Sequence, residues 1–66
     1  MKLKVDKETD ALYLLLDDSP IVESEATSPG VILDFNDQHE VVGVEILHLS
    51  KRAPGLNVRE LLFETT

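Results

Sequence analysis

Apolar residues along this chain come in short bursts separated by polar clusters. Lys2-Leu3-Lys4-Val5 has the two-residue period of a half-buried strand. Asp6 to Asp10 is polar from end to end, with Asp at both limits, which suits a hairpin loop. Ala11-Leu12-Tyr13-Leu14-Leu15-Leu16 is apolar at every position, so a strand there needs cover on both faces and is expected at the centre of the sheet. Asp17-Asp18-Ser19-Pro20 reads as a turn, because Pro cannot donate to a ladder and Asp and Ser bond locally to the backbone. A weaker third strand over Ile21–Ala26 leads to the breaker pair Pro29-Gly30. Val31–Phe35 and Val41–Leu47 supply the fourth and fifth strands, with the polar loop Asn36–Glu40 between them. Within the fifth, Gly43 marks a bulge or a close approach.

Short polar connections between five strand-like runs predict an antiparallel β-meander over residues 1–47. The remainder, residues 48–66, has a different pattern. His48–Ala53 fits a single helical turn stopped by Pro54-Gly55. Asn57 stands three residues before Glu60 in the manner of a capping box, and Val58, Leu61 and Leu62 follow at helical spacing. Residues 57–63 therefore read as a short helix, with a sixth strand as the competing reading. The expected fold class is mainly β (α+β): an antiparallel β-meander of about five strands with a short C-terminal helix, in a single domain spanning 1–66.

Size changes this picture. A chain of 66 residues buries only about 60% of the surface it exposes when unfolded, and small domains usually add disulfides, metals or partners to be stable. The sequence has no cysteine, which excludes disulfides, thiolate metal sites and cysteine nucleophiles. The all-apolar second strand then predicts a homodimer, with Tyr13, Leu15, Leu61 and Leu62 as interface residues.

Charge narrows the choice of other partners. Six Lys and Arg against thirteen Asp and Glu give a net charge of −7, which argues against a nucleic-acid binder and a polybasic membrane-surface peptide. The longest apolar run is far too short to span a membrane, and lysines interrupt the N-terminus, so a cytoplasmic location is expected. No Lys or Arg lies between Glu8 and Ser50. Asp6, Asp10, Glu23, Glu25, Asp34 and Glu45 are candidates for an acidic surface. Such a surface either keeps edge strands soluble or docks a small basic protein.

The order of motifs resembles the family named domain of unknown function 2283, small prokaryotic proteins of about this length. The matching residues are Val5-Asp6, Asp10-Ala11-Leu12-Tyr13-Leu14, Glu23-Ser24-Glu25, Pro29-Gly30-Val31-Ile32-Leu33-Asp34, Val42-Gly43-Val44-Glu45-Ile46-Leu47 and Ser50-Lys51-Arg52. The resemblance implies a small β-rich fold without an assigned activity, and a loose association with toxin-like neighbours that suits an antitoxin-like acidic module. It supplies no functional residues. The Asn36-Asp37-Gln38-His39 turn departs from the Gly-containing turn such sequences often carry, which predicts a looser hairpin there.

Candidate chemistry is sparse. Asp6 and Asp10 stand four apart across a tight loop, where they either hold a cation or close the loop through backbone bonds. The stretch Asp34–Glu40 invites a calcium reading, yet Gln38 and His39 break the EF-hand pattern. His39 and His48 lie at opposite ends of the fifth strand, about 30 Å apart if extended, too far to share a metal. No serine sits in a nucleophile elbow and no glycine-rich loop opens a helix. Lys51, Arg52 and Arg59 are too few to make an RNA-binding patch on so acidic a chain. The expectation is a non-catalytic interaction module without cofactor or metal. The rival is a small-ligand or divalent-metal domain built on the acidic loops.

Overall fold

The computed structural model describes residues 1–57 and Arg59. Five strands form one antiparallel sheet: β1 (Lys2–Asp6), β2 (Ala11–Leu15), β3 (Glu23–Ser28), β4 (Val31–Phe35) and β5 (Val41–Ile46). One helical turn, α1 (Leu49–Arg52), follows β5 as the Pro54-Gly55 stop predicts. Apart from Asn57 and Arg59, the expected helix over 57–63 lies outside the described residues, as do the interface candidates Leu61 and Leu62.

The strand order is β1-β2-β5-β4-β3, so the sheet departs from a simple meander at one connection. β3, β4 and β5 do follow one another through tight turns, and β1-β2 is a hairpin docked against β5. The departure lies in residues 16–22, which run along one end of the sheet past β5 and β4 to reach β3. Three strand spacings are about 14 Å. That distance is beyond a hairpin loop and within the roughly 23 Å that seven extended residues span. Leu16 and Asp17 both donate their amides to the Val42 carbonyl, at 2.8 and 3.3 Å, before the chain leaves. Ile21 and Val22 belong to this crossing rather than to β3 and are 46% and 62% exposed, with the Val22 amide donating to the Phe35 carbonyl at 2.9 Å. The central strand is accordingly β5 and not the all-apolar β2. β5 contributes Val42, 1% exposed and the most buried large side chain among the described residues.

The register fixes which side chains share a face, because directly paired residues point the same way. Leu3 pairs with Leu14, Leu14 with Val44 and Val44 with Leu33; Val5 pairs with Leu12, Leu12 with Ile46 and Ile46 with Val31. Phe35 and Val42 join them by the two-residue period, making one face of ten apolar side chains. At its β3 edge this face ends in Glu25, opposite Leu33, and Glu23, opposite Phe35. Only Phe35 and Val42 of the ten are buried; the other eight are half-buried. The opposite face is mixed and carries Lys2, Lys4, Tyr13, Leu15, Glu45, Asp34 and Ser24.

The loops are tied by named polar groups. In the β4–β5 turn Asn36 is buried at 6% exposure, and its Oδ1 accepts the amides of Gln38 and Glu40 at 3.0 and 2.9 Å. His39 takes the left-handed conformation (φ 60°) that a glycine usually fills, with its ring stacked on Phe35 at 4.7 Å. The glycine-free hairpin is closed by the bonds of Asn36 to Gln38, His39 and Glu40.

At the far end, α1 has no side-chain cap of its own, since its N-cap is His48. Asp10 supplies one from the β1–β2 turn. Its carboxylate accepts the Ser50 amide at 3.0 Å and the Ser50 hydroxyl at 2.7 Å, and its carbonyl accepts the Leu49 amide at 2.9 Å. Arg52 reaches across to donate to the Pro29 carbonyl. Gly30 beside it has φ +76°, and a Cβ there would meet the Arg52 guanidinium at 3.2 Å. Three chain segments thus converge on one corner through Asp10, Ser50, Arg52 and Pro29.

Asp10→Ala removes the cap and also places Ala where the backbone is left-handed (φ 54°). A loss of about 1–2 kcal/mol is expected in urea unfolding. Ser50→Ala, which keeps the amide bond, should lose less than half of that.

Candidate functional site

On the mixed face, Tyr13 of β2 sits opposite Glu45 of β5, and Leu15 sits opposite Gly43. Gly43 in turn pairs with Asp34 of β4, and Asp34 with Ser24 of β3. Because Gly43 has no side chain, the Tyr13 ring lies across β5 and its hydroxyl donates to Asp34 Oδ2 at 3.1 Å. The Ser24 hydroxyl donates to Asp34 Oδ1 at 2.6 Å from the other side. A Cβ on Gly43 would fall 2.7 Å from the Tyr13 oxygen and 2.9 Å from Asp34 Oδ2. The bulge expected around Gly43 is also present, as a register shift where Val41 pairs with Phe35. Asp34 is only 8% exposed, and a buried carboxylate is costly unless donors satisfy it. Tyr13 and Ser24 do so from two different strands, which pins β2 to β4 across β5 and β3 to β4 directly.

Loss of hydration raises the Tyr13 phenol above its ordinary range, and the bond to Asp34 together with the charges of Asp34 and Glu45 pushes the same way. The neutral phenol is thus the form the fold prefers. Its contribution is present below the ordinary tyrosine pKa of about 10 and is lost as pH rises through the elevated folded value.

The acidic candidates meet different fates. Asp34 is inside the network just described and not on the surface. Asp10 caps α1. Asp6 is half-buried and accepts the amides of Glu8 and Thr9 at 3.0 and 3.4 Å, and these backbone bonds, Thr9 first, lower its pKa. Its bonds close the loop. Glu45 is half-buried beside Tyr13, whereas Glu23 and Glu25 stand exposed on the edge strand β3. Beside Tyr13 lies an open depression of about 200 Å³ lined by Lys4, Asp6, Thr9, Ala11 and Glu45. Pockets that enclose small molecules usually run from about 300 to 1,000 Å³. Among the described residues no group of three His, Asp or Glu side chains is placed to hold a metal ion. No helix among them is long and apolar enough to cross a membrane.

Tyr13 and Leu15, expected at a dimer contact, lie on this mixed face with Lys2, Lys4 and Glu45 around them. The largest apolar surface is the other face, carried by Leu12 and Leu14 of the same strand. The Tyr13–Asp34–Ser24 network is not visible in the sequence, because it depends on the register between strands and not on spacing along the chain. Alternation alone does put Gly43 on the face it shares with Glu45, which is the one available hint.

Gly43→Ala should cost about 1–3 kcal/mol by overpacking, and less when combined with Tyr13→Phe, which removes the nearest atom. The chain has one tyrosine and no tryptophan, so phenolate absorbance reports Tyr13 alone. Its midpoint is expected above 10, and Asp34→Asn should bring it down; a wild-type midpoint at the free-phenol value contradicts the network.

No curated protein and no solved structure matches the chain. The model of a family described as a protein of unknown function, DUF2283, matches residues 2–50. That span holds all five strands, the Tyr13–Asp34–Ser24 network over Gly43, and the Asp10–Ser50 cap. The chain belongs to the DUF2283 family.

Proposed function

We propose that this protein is a non-catalytic interaction module that pairs with itself through the apolar face of its sheet. The observation that supports this reading is the state of that face: of ten apolar side chains spread over four strands, eight keep part of their surface in water. A contiguous apolar area of this kind on a soluble domain usually marks a place where another surface docks. The residues around it point the same way. Asp6, Asp10, Tyr13, Ser24, Asp34 and Asn36 all spend their polar atoms on holding the fold.

Burying apolar area at about 25 cal/mol per Å² on each of two protomers also gives a short, disulfide-free chain stability it lacks alone. The contact is therefore centred on Leu12, Leu14, Leu33 and Val44, in place of the Tyr13 and Leu15 side expected from alternation.

Light scattering at micromolar concentration should give twice the chain mass, and the melting temperature should rise with concentration, as mass action requires. Leu14→Lys should give a monomer or an unfolded chain, while Val22→Ser, in the exposed crossing segment, should leave the dimer intact. A monomer whose melting temperature does not change with concentration contradicts the proposal.

A further inference from the structure

The strand order separates charge as well as apolarity. β1 and β3 are the two edges of the sheet. β1 and the turn after it carry Lys2, Lys4 and Lys7, while β3 carries Glu23 and Glu25 and no basic residue. The acids near the lysines are Asp6, held by the Glu8 and Thr9 amides and close to Lys4, Glu8 in the turn, and Glu45, which lines the same depression as Lys4. Heights along the strands follow from the pairing. Lys2 is level with Leu15, Gly43, Asp34 and Ser24, and Leu3 is level with Glu25. The lysines of one edge and the glutamates of the other therefore stand within one residue of the same height, on opposite sides of the apolar face.

From this placement we infer that the occupant of the apolar face is a second copy of the chain, turned about a two-fold axis parallel to the strands, so that the β3 edge of each protomer lies along the β1 edge of the other. The inference rests on the dimer reading above and adds its orientation. An axis of this kind exchanges the two edges and keeps height unchanged, so Glu23 and Glu25 meet the level of the partner's Lys2 and the partner's Lys4. Glu23 and Glu25 point toward the partner. Lys2 and Lys4 point to the outer face, Lys4 beside Asp6 and Glu45, and the contact requires their flexible stems to turn around the rim of the sheet.

The other closed arrangements set like charges together. A two-fold axis lying across the strands stacks β1 on β1 and β3 on β3. Pairing two copies edge to edge does the same, and like charges directly opposed are destabilising. Pairing the β1 edge of one copy with the β3 edge of the next is complementary, but it leaves free edges and an open chain of copies. Face-to-face stacking with the edges exchanged is the one arrangement that is both closed and complementary. Rim charges of this kind set orientation and rate more than affinity.

Sedimentation at low salt on charge-reversed chains tests this. Glu23→Lys with Glu25→Lys should weaken the dimer about tenfold, as should Lys2→Glu with Lys4→Glu. All four changes in one chain should return the dissociation constant to near that of the wild type. The sites are exposed, and circular dichroism checks that each variant folds. A dimer indifferent to the separate reversals, or one that the combined chain fails to restore, overturns the orientation while leaving self-association standing. A wild type that stays monomeric at every concentration overturns both, and means that the face is closed by the chain itself or by a different protein.

Discussion

Side chains on a sheet must go to one of two faces, and a short chain has little material with which to cover both. Here one face is solved by polarity: lysines, a glutamate and a tyrosine meet water or one another. The second face is entirely apolar over four strands, and among the described residues only Phe35 and Val42 on it are buried. Everything proposed for the protein follows from that asymmetry. Had β2 been half polar in the usual way, the same five strands would make an unremarkable two-faced sheet with no demand for a partner.

The polar groups explain why the sheet has this order. Gly43 gives up a side chain so that Tyr13 can cross β5 and reach Asp34, and Ser24 completes the carboxylate from β3. The network draws on β2, β3 and β4 and closes over β5, which lies between β2 and β4. Its two hydroxyl donors satisfy a buried carboxylate that would be costly without them. The Asp10–Ser50 cap and the Arg52 contact with Pro29 do the same service at the end of the sheet, where β5 meets the helical turn. Of the acidic candidates, Asp6, Asp10 and Asp34 are engaged by the fold, whereas Glu23 and Glu25 are exposed.

Local features were legible in the sequence because their causes are local. Alternation located the five strands to within a few residues, Pro29-Gly30 and Asp6–Asp10 marked their turns, and Pro54-Gly55 marked the end of the helical turn. Strand order was not legible, because it depends on a crossing of residues 16–22 whose length permits either a wide turn or a traverse. Neither the face that Tyr13 and Leu15 share with Gly43 and Glu45 nor the burial of Asp34 follows from alternation within one strand, because both depend on register between strands. The glycine-free Asn36–Glu40 turn misled for a different reason. Asn36 replaces the missing glycine's freedom with three hydrogen bonds, and His39 accepts a left-handed backbone while stacking on Phe35.

Intermolecular contacts observed directly are the sharpest test of the central claim. In a mixture of isotope-labelled and unlabelled chains, filtered nuclear Overhauser spectra detect only methyl groups that touch another copy. The account predicts cross-peaks from Leu12, Leu14, Leu33 and Val44 and none from Leu15. Spectra without such cross-peaks, in a sample tumbling as a monomer, contradict it.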